Sequence, residues 1–186
     1  MSLSLAQIYL EDAAALFRRQ KMLADRAMAQ IDDGAFFALL DPEANSVAVL
    51  VKHMAGNMRS RWRDFLTSDG EKPDRDRDSE FIIAPGQDRA WLSAYWESGW
   101  GILLDAIDSL TPDDLVRIVT IRGEPHTVMK AINRQIDHYS YHTGQIVMLC
   151  KHSVPVWQTL SVPKGGSAAF NAAMRKGQNT DATVNE

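Results

Sequence analysis

The sequence predicts an all-α protein, a four-helix bundle with a short β-hairpin before the last long helix. Three observations lead there. Four long segments carry apolar residues at helical spacing and are bounded by capping or helix-breaking residues. One connection between them is long and highly charged, as in bundles that contain a crossover. Hydrophobic residues make up 45% of the 186 positions, enough for a substantial core rather than a disordered chain.

The first helix is expected over residues 4–31. Leu5, Ile8, Ala15, Leu16, Leu23 and Ala27 recur near helical spacing, and Ser4 is a suitable N-cap. Asp32-Asp33-Gly34 ends the run. Asp41-Pro42-Glu43-Ala44-Asn45-Ser46 is a turn and cap cluster that leads into a second helix over residues 47–66. That helix stops at Ser68-Asp69-Gly70. Residues 69–87 form a polar connection containing Glu71-Lys72-Pro73-Asp74-Arg75-Asp76-Arg77-Asp78; a loop of this length is either functional or mobile, and its plain reading is a solvated crossover.

The third helix, residues 88–110, has Trp91, Tyr95, Ile102, Ala106 and Leu110 on its inner stripe. Gly99 and Gly101 flank Trp100, weaken the helix there and would permit close packing against a neighbour. Thr111-Pro112-Asp113-Asp114 caps a short helical turn. Residues 116–121 are rich in β-branched side chains, and Arg122-Gly123-Glu124-Pro125 follows as a turn, which reads as a small hairpin. The fourth helix covers residues 127–151. After Pro155 the pattern decays, and Pro163-Lys164-Gly165-Gly166 is a loop. The expected organisation is one bundle over residues 1–160 and a C-terminal tail over 161–186, with 175–186 disordered.

The totals restrict function. A net charge of -4 argues against generic nucleic-acid binding, which needs a basic surface. The single cysteine, Cys150, excludes an intrachain disulfide and a Cys-rich zinc site, and fits a reducing compartment. No apolar run reaches ~18 residues, so no membrane span is expected. The N-terminus has no charged region of the signal-peptide type. These features place the protein in the cytoplasm, with no nucleic-acid or membrane partner.

The most informative residues are His138 and His142, in the predicted helical run Gln135-Ile136-Asp137-His138-Tyr139-Ser140-Tyr141-His142-Thr143-Gly144-Gln145. A spacing of four stacks both imidazoles on one helical face, where two neutral ring nitrogens can share a divalent metal. His53 lies on the second helix, on a face shared with Gly56, Asn57 and Ser60. Three protein ligands leave a coordination position open, which is the pattern of a catalytic site. No glutamate follows His138, so this is not the His-Glu-x-x-His motif. Asn57, Gln135 and Gln145 are the candidates for orienting the imidazoles or a bound water. Tyr139 and Tyr141 project to either side of the ligand face.

Other candidates read more simply as structure. His126 beside a turn fits a cap or surface role, and His152 ends a helix where a cation suits the dipole. Cys150 fits a small core residue without a positive partner. Arg59, Arg61 and Arg63 around Trp62 could bind an anion, but read more simply as a solvated helix face with one buried tryptophan. Trp91, Tyr95, Trp96 and Trp100 fit core or interface.

The spacing of His53 with His138-Tyr139-Ser140-Tyr141-His142-Thr143-Gly144-Gln145 resembles the DinB/YfiT-like superfamily, and the His-x-x-x-His-x-Gly-Gln ending is its most recognisable part. The likeness spans roughly residues 4 to 155. The stretches around Lys52-His53-Met54-Ala55-Gly56-Asn57, Asp69-Gly70-Glu71-Lys72-Pro73 and Pro163-Lys164-Gly165 look like an uncharacterised bacterial branch, a domain of unknown function. The resemblance implies up-down-down-up connectivity, a divalent metal (nickel or zinc) on His53, His138 and His142, and a homodimer. Activities in the superfamily include thiol-dependent S-transfer, a maleylpyruvate isomerase and proposed metal-dependent hydrolysis.

The leading expectation is therefore a metal-dependent hydrolase or thiol S-transferase acting on a small molecule. A divalent ion lowers the pKa of a water it holds to about 7 and can equally make a thiol a thiolate. The thiol would be a low-molecular-weight one, since Cys150 lies about two turns beyond His142. The alternatives are a non-catalytic metal-binding or stress-response protein, and an interaction protein that dimerises through the aromatic third helix.

Overall fold

The computed structural model describes residues 3–175 and 177. Helix α1 spans Leu5–Met28 and opens on a capping box in which Ser4 and Gln7 exchange side-chain and backbone hydrogen bonds. A five-residue helix, α2 (Asp33–Phe37), follows. Helix α3 (Val47–Trp62) is capped by Ser46, α4 (Arg89–Asp108) by Asp88, and α5 (Val128–His152) by Thr127. Short 3-10 turns occur at Asp78–Phe81 and Pro112–Val116. Strands β1 (Ile118–Ile121) and β2 (Glu124–Thr127) form an antiparallel hairpin immediately before α5. Helix α6 (Ser167–Arg175) buries none of its residues.

The four long helices make the bundle. Helix α1 packs mainly on α5, and α3 mainly on α4, while α1 and α5 also touch α4 and α3 respectively. Phe17, Leu50, Met54, Trp62, Trp100 and Tyr139 are among the fully buried side chains that join them. Phe17 meets the edge of Trp62 with ring centroids 5.7 Å apart and lies 6.0 Å from Tyr139, which ties α1, α3 and α5 at one point. No helix among the described residues is long and apolar enough to cross a membrane.

Helix α3 is the central element. Fifteen of its sixteen residues are buried, including Lys52, His53, Asn57, Ser60 and Arg61. The expected solvated face around Trp62 is therefore corrected at Arg61, which is 2% exposed. The helix ends at Trp62 rather than continuing to residue 66, because the chain turns through a left-handed Asp64 at φ 49°.

Four other departures have local causes. The Asp32-Asp33-Gly34 break ends one helix but also starts α2, since the Asp32 carboxylate caps the Ala35 N–H and Phe36 inserts into the core. His126 is 8% exposed on β2, donating from Nδ1 to the Glu124 carbonyl, rather than lying at the surface. Helix α6 lies inside the tail segment, where no helix was expected; it is short and buries no residue. The polar connection after α3 is not merely solvated: Lys72 and Glu80 are buried, and the segment packs along α3. The expected disorder of residues 175–186 falls, beyond Arg175 and Gly177, outside the described residues.

The hairpin turn is set by its dihedrals. Arg122 and Gly123 have φ of 56° and 76°, the paired left-handed conformation of a two-residue connection. The Asp69 carboxylate accepts both of their N–H groups, at 2.9 and 2.8 Å. Burial opposes ionisation there, but the N–H groups of Glu71, Gly123 and Arg122 hold the Asp69 carboxyl well below the usual carboxylate range. Gly70 N–H also donates to Thr120 O at 2.8 Å, so the hairpin and the polar segment are one unit.

The two glycines of α4 behave oppositely. A Cβ on Gly99 would meet the backbone of Ala55 at 3.0 Å, whereas one on Gly101 meets nothing within 4 Å. Gly99→Ala is expected to lose about 1–3 kcal/mol by forcing α3 and α4 apart. Gly101→Ala is expected to gain up to about 1 kcal/mol from helix propensity. Urea unfolding of the two variants beside the parent checks both signs.

Candidate metal centre

His53 lies midway along α3, and His138 and His142 lie one turn apart on α5. The tertiary packing brings all three together. Their candidate ligand nitrogens all lie within 4.8 Å of one another, and the ring centroids are 4.7 to 5.5 Å apart. A tetrahedral zinc site with ~2.0–2.1 Å bonds spaces its ligand nitrogens about 3.4 Å apart. His138 Nε2 and His142 Nε2 are already 3.1 Å apart.

Hydrogen bonds define which nitrogen each ring can offer. His53 Nδ1 faces Glu80 Oε2 at 2.8 Å, and a carboxylate can only accept, so Nδ1 carries the proton. His142 Nδ1 likewise donates to Gln145 Oε1 at 2.7 Å, while the Gln145 amide nitrogen donates to the Tyr141 hydroxyl. Both rings therefore turn an unprotonated Nε2 toward the centre. Without a cation, only His138 can supply the proton between the two α5 rings. Its Nδ1 is then a buried acceptor, and it has no partner among the described residues. An ion would replace the proton between the two rings: His138 could then carry its own proton on Nδ1, still without a partner among the described residues, and present Nε2 like the other two. The donor set thus fits a divalent cation that accepts imidazole, such as zinc or nickel.

The polar segment supplies the support. Glu80 is 4% exposed and receives, besides His53, the Arg75 guanidinium at 2.8 and 2.9 Å. Burial disfavours the Glu80 carboxylate, but the His53 and Arg75 hydrogen bonds outweigh it and lower the pKa. Phe81 packs on the His53 ring with centroids 4.9 Å apart. The close approach of Glu80 depends on Gly56, because a Cβ there would collide with the Glu80 carboxylate. Helix periodicity could not reveal Arg75, Glu80 or Phe81, since they lie in an irregular segment. The available signals were Gly56 on the His53 face and the length of that connection.

The three amide candidates divide. Gln145 touches His142 directly. Gln135 donates to Asn57 Oδ1 at 2.7 Å and to the Tyr139 hydroxyl at 2.9 Å, and Tyr139 donates to Asn57 Oδ1 at 2.8 Å. Asn57 and Gln135 therefore tie α3 to α5 beneath the histidines, with Trp62 Nε1 donating to the same Tyr139 hydroxyl. Burial pushes that hydroxyl up to about 12 and the Cys150 thiol up to about 11, so neither ionises at neutral pH. His152 sits exposed in the last turn of α5, apart from the centre. A cavity of about 370 Å³ opens beside the site, with His53, His138 and Asn57 in its wall.

An all-α bundle that gathers three imidazoles beside a cavity, with a buried carboxylate fixing one of them, defines a helical protein with a candidate metal centre. The chain belongs to the family described as a protein of unknown function (DUF1572), which it matches over residues 4–166. No curated protein matches it.

Two outcomes follow from this geometry. Gly56→Ala should displace Glu80 and weaken metal binding about 10–100-fold, as loss of a ligand-orienting carboxylate does; competition with a chromophoric chelator measures it. Burial, with some repulsion from His142 and His53, pushes the His138 pKa down to about 3, and burial also lowers that of His142. Unfolded chains protonate these rings near ~6.5. Between that value and about 3 the unfolded state binds more protons, so the metal-free protein should lose stability as pH falls through this window. Urea midpoints at pH 7 and pH 5 test this, and a His138→Leu variant should show a shallower dependence.

Proposed function

We propose that this chain is a DinB-like metal-dependent enzyme in which His53, His138 and His142 hold one divalent ion, nickel or zinc. The observation that carries the reading is the convergence of three imidazoles beside a cavity, two of them with their far nitrogens committed to Glu80 and Gln145. When bound, a divalent ion supplies a Lewis-acid centre that activates a water or a thiol.

The chain's own residues then have definable tasks. Glu80 and Gln145 hold two rings in one tautomer and orientation. Asn57 presents a polar wall to the cavity. The cavity volume of about 370 Å³ suits a small molecule rather than a polymer. Hydrolysis and transfer to a low-molecular-weight thiol both fit; the thiol would come from solution, because Cys150 is fully buried and protonated. A cytoplasmic setting agrees with a free cysteine and a small-molecule thiol.

The test is elemental analysis of untagged protein produced with nickel and zinc available, for the parent, His53→Ala and His138→Ala. About one equivalent in the parent, lost in both variants, is the expected result for a three-ligand site. A parent without metal, or variants that retain it, would overturn the reading.

A further inference from the structure

The cavity beside His53 and His138 is also lined by five arginines, Arg61, Arg75, Arg77, Arg122 and Arg134. Asp137 is the one carboxylate in its wall. This is a basic concavity in a chain whose net charge is -4.

The carboxylates around it do not neutralise it. Glu71 is shared by three guanidiniums, with Arg75 at 3.2 Å, Arg122 at 3.3 Å and Arg61 at 3.6 Å. Glu80 is committed to Arg75 and His53. Arg77 stacks over Phe81 and reaches Asp78 only at 3.9 Å, at the surface. Arg134 donates to the neutral oxygen of Gln135 at 3.1 Å. Arg61 is 2% exposed, and its Nε and Nη1 have no hydrogen-bond partner among the described residues. Burial lowers the Arg61 pKa to about 10, which still leaves it charged at neutral pH. A buried guanidinium with two unsatisfied nitrogens is costly unless something anionic offsets it.

We infer that this cavity binds a small organic anion, a carboxylate or phosphate compound, with the arginine wall holding its charged group and the histidines beside the rest of it. Guanidinium forks match the planar edge of a carboxylate or two oxygens of a phosphate. A concave wall of one sign also concentrates such ligands from solution. The anion's role as a substrate rests on the metal-enzyme reading, whereas its binding does not.

Isothermal titration of the metal-free, full-length protein with inorganic phosphate and, separately, with succinate tests this at low ionic strength. Binding of at least one probe is expected, weakened about tenfold or more in the Arg122→Gln/Arg134→Gln double variant and reduced by added sodium chloride. The Arg122 side chain is 55% exposed and Arg134 lies on the exposed face of α5, so unchanged thermal unfolding should show that folding is intact. Lys130→Gln, exposed on the same helix and outside the cavity, controls for the loss of charge alone and should leave affinity unchanged. Tighter binding of phosphate assigns the ligand to phosphate compounds, and tighter binding of succinate to carboxylates. Binding of neither probe, or an equal loss in the Lys130 control, would overturn the inference. A protein that binds anion but no metal upholds the anion site and rejects the metal reading, and metal without anion does the reverse.

Discussion

The burial of α3 on all sides is the constraint on which the rest of the structure depends. A helix that is buried all round is normally apolar, yet this one carries a lysine, a histidine, an asparagine, a serine and an arginine inward. Each such group costs about 1–3 kcal/mol if it is left dry and unpaired. The surroundings must therefore meet them one by one. Lys52 donates to the carbonyls of Ser79 and Ile82 and to Gln87 Oε1. Ser60 donates to Gly70 O and accepts from Lys72 N. His53 is met by Glu80, and Asn57 by Gln135 and Tyr139. The three-histidine group is one instance of this general requirement.

That requirement explains the segment between α3 and α4. Its charges look suited to solvent when read as a string, but three of its members, Lys72, Arg75 and Glu80, have side chains turned into the protein. The segment has little regular structure because its backbone is shaped to deliver partners to α3. Asp69 then anchors the β1–β2 turn, which brings Arg122 to Glu71 and to the cavity. The small hairpin thus acts as the far wall of the same site, and the long connection has a positional role that its length alone only hints at.

Much of the fold was legible because it follows local rules. Ser4, Ser46 and Asp88 cap the helices that periodicity predicts, and the Arg122-Gly123 turn closes the expected hairpin. The three histidines were legible as well, since an i,i+4 pair on one helix and a single histidine on another need only one packing event to meet. What stayed hidden is long-range and irregular. Nothing periodic marks Glu80 or Arg75, whose partners are 27 residues or more away or lie within a loop. Arg61 was obscured for the opposite reason: an arginine between Ser60 and Trp62 reads as a surface residue, and only the completed bundle shows that it is 2% exposed. Asn57 and Gln135 were recognisable as polar residues on the histidine faces of their helices, but their direct hydrogen bond and the Tyr139 hydroxyl that joins them depend on the exact depth of α5.

The charge arrangement around Glu80 bears on what the centre can do. A lone carboxylate beside His53 would draw negative charge toward the imidazole and dilute the charge of an ion held there. Here Arg75 takes both Glu80 oxygens, so the carboxylate is balanced while it still orients the ring. His142 is fixed by a neutral amide, and His138 Nδ1 has no hydrogen-bond partner among the described residues. Three neutral imidazoles with no net-negative neighbour would leave a divalent ion with its charge almost undiminished, which favours activation of a weak nucleophile. The same balance leaves Arg61, Arg77, Arg122 and Arg134 without enough carboxylate to match them. The positive excess therefore falls on the cavity side of the histidines, where it both repels an incoming cation and attracts an anion. An anion in the cavity and an ion on the histidines would reduce each other's electrostatic cost, so occupancy of one site strengthens the other by linkage.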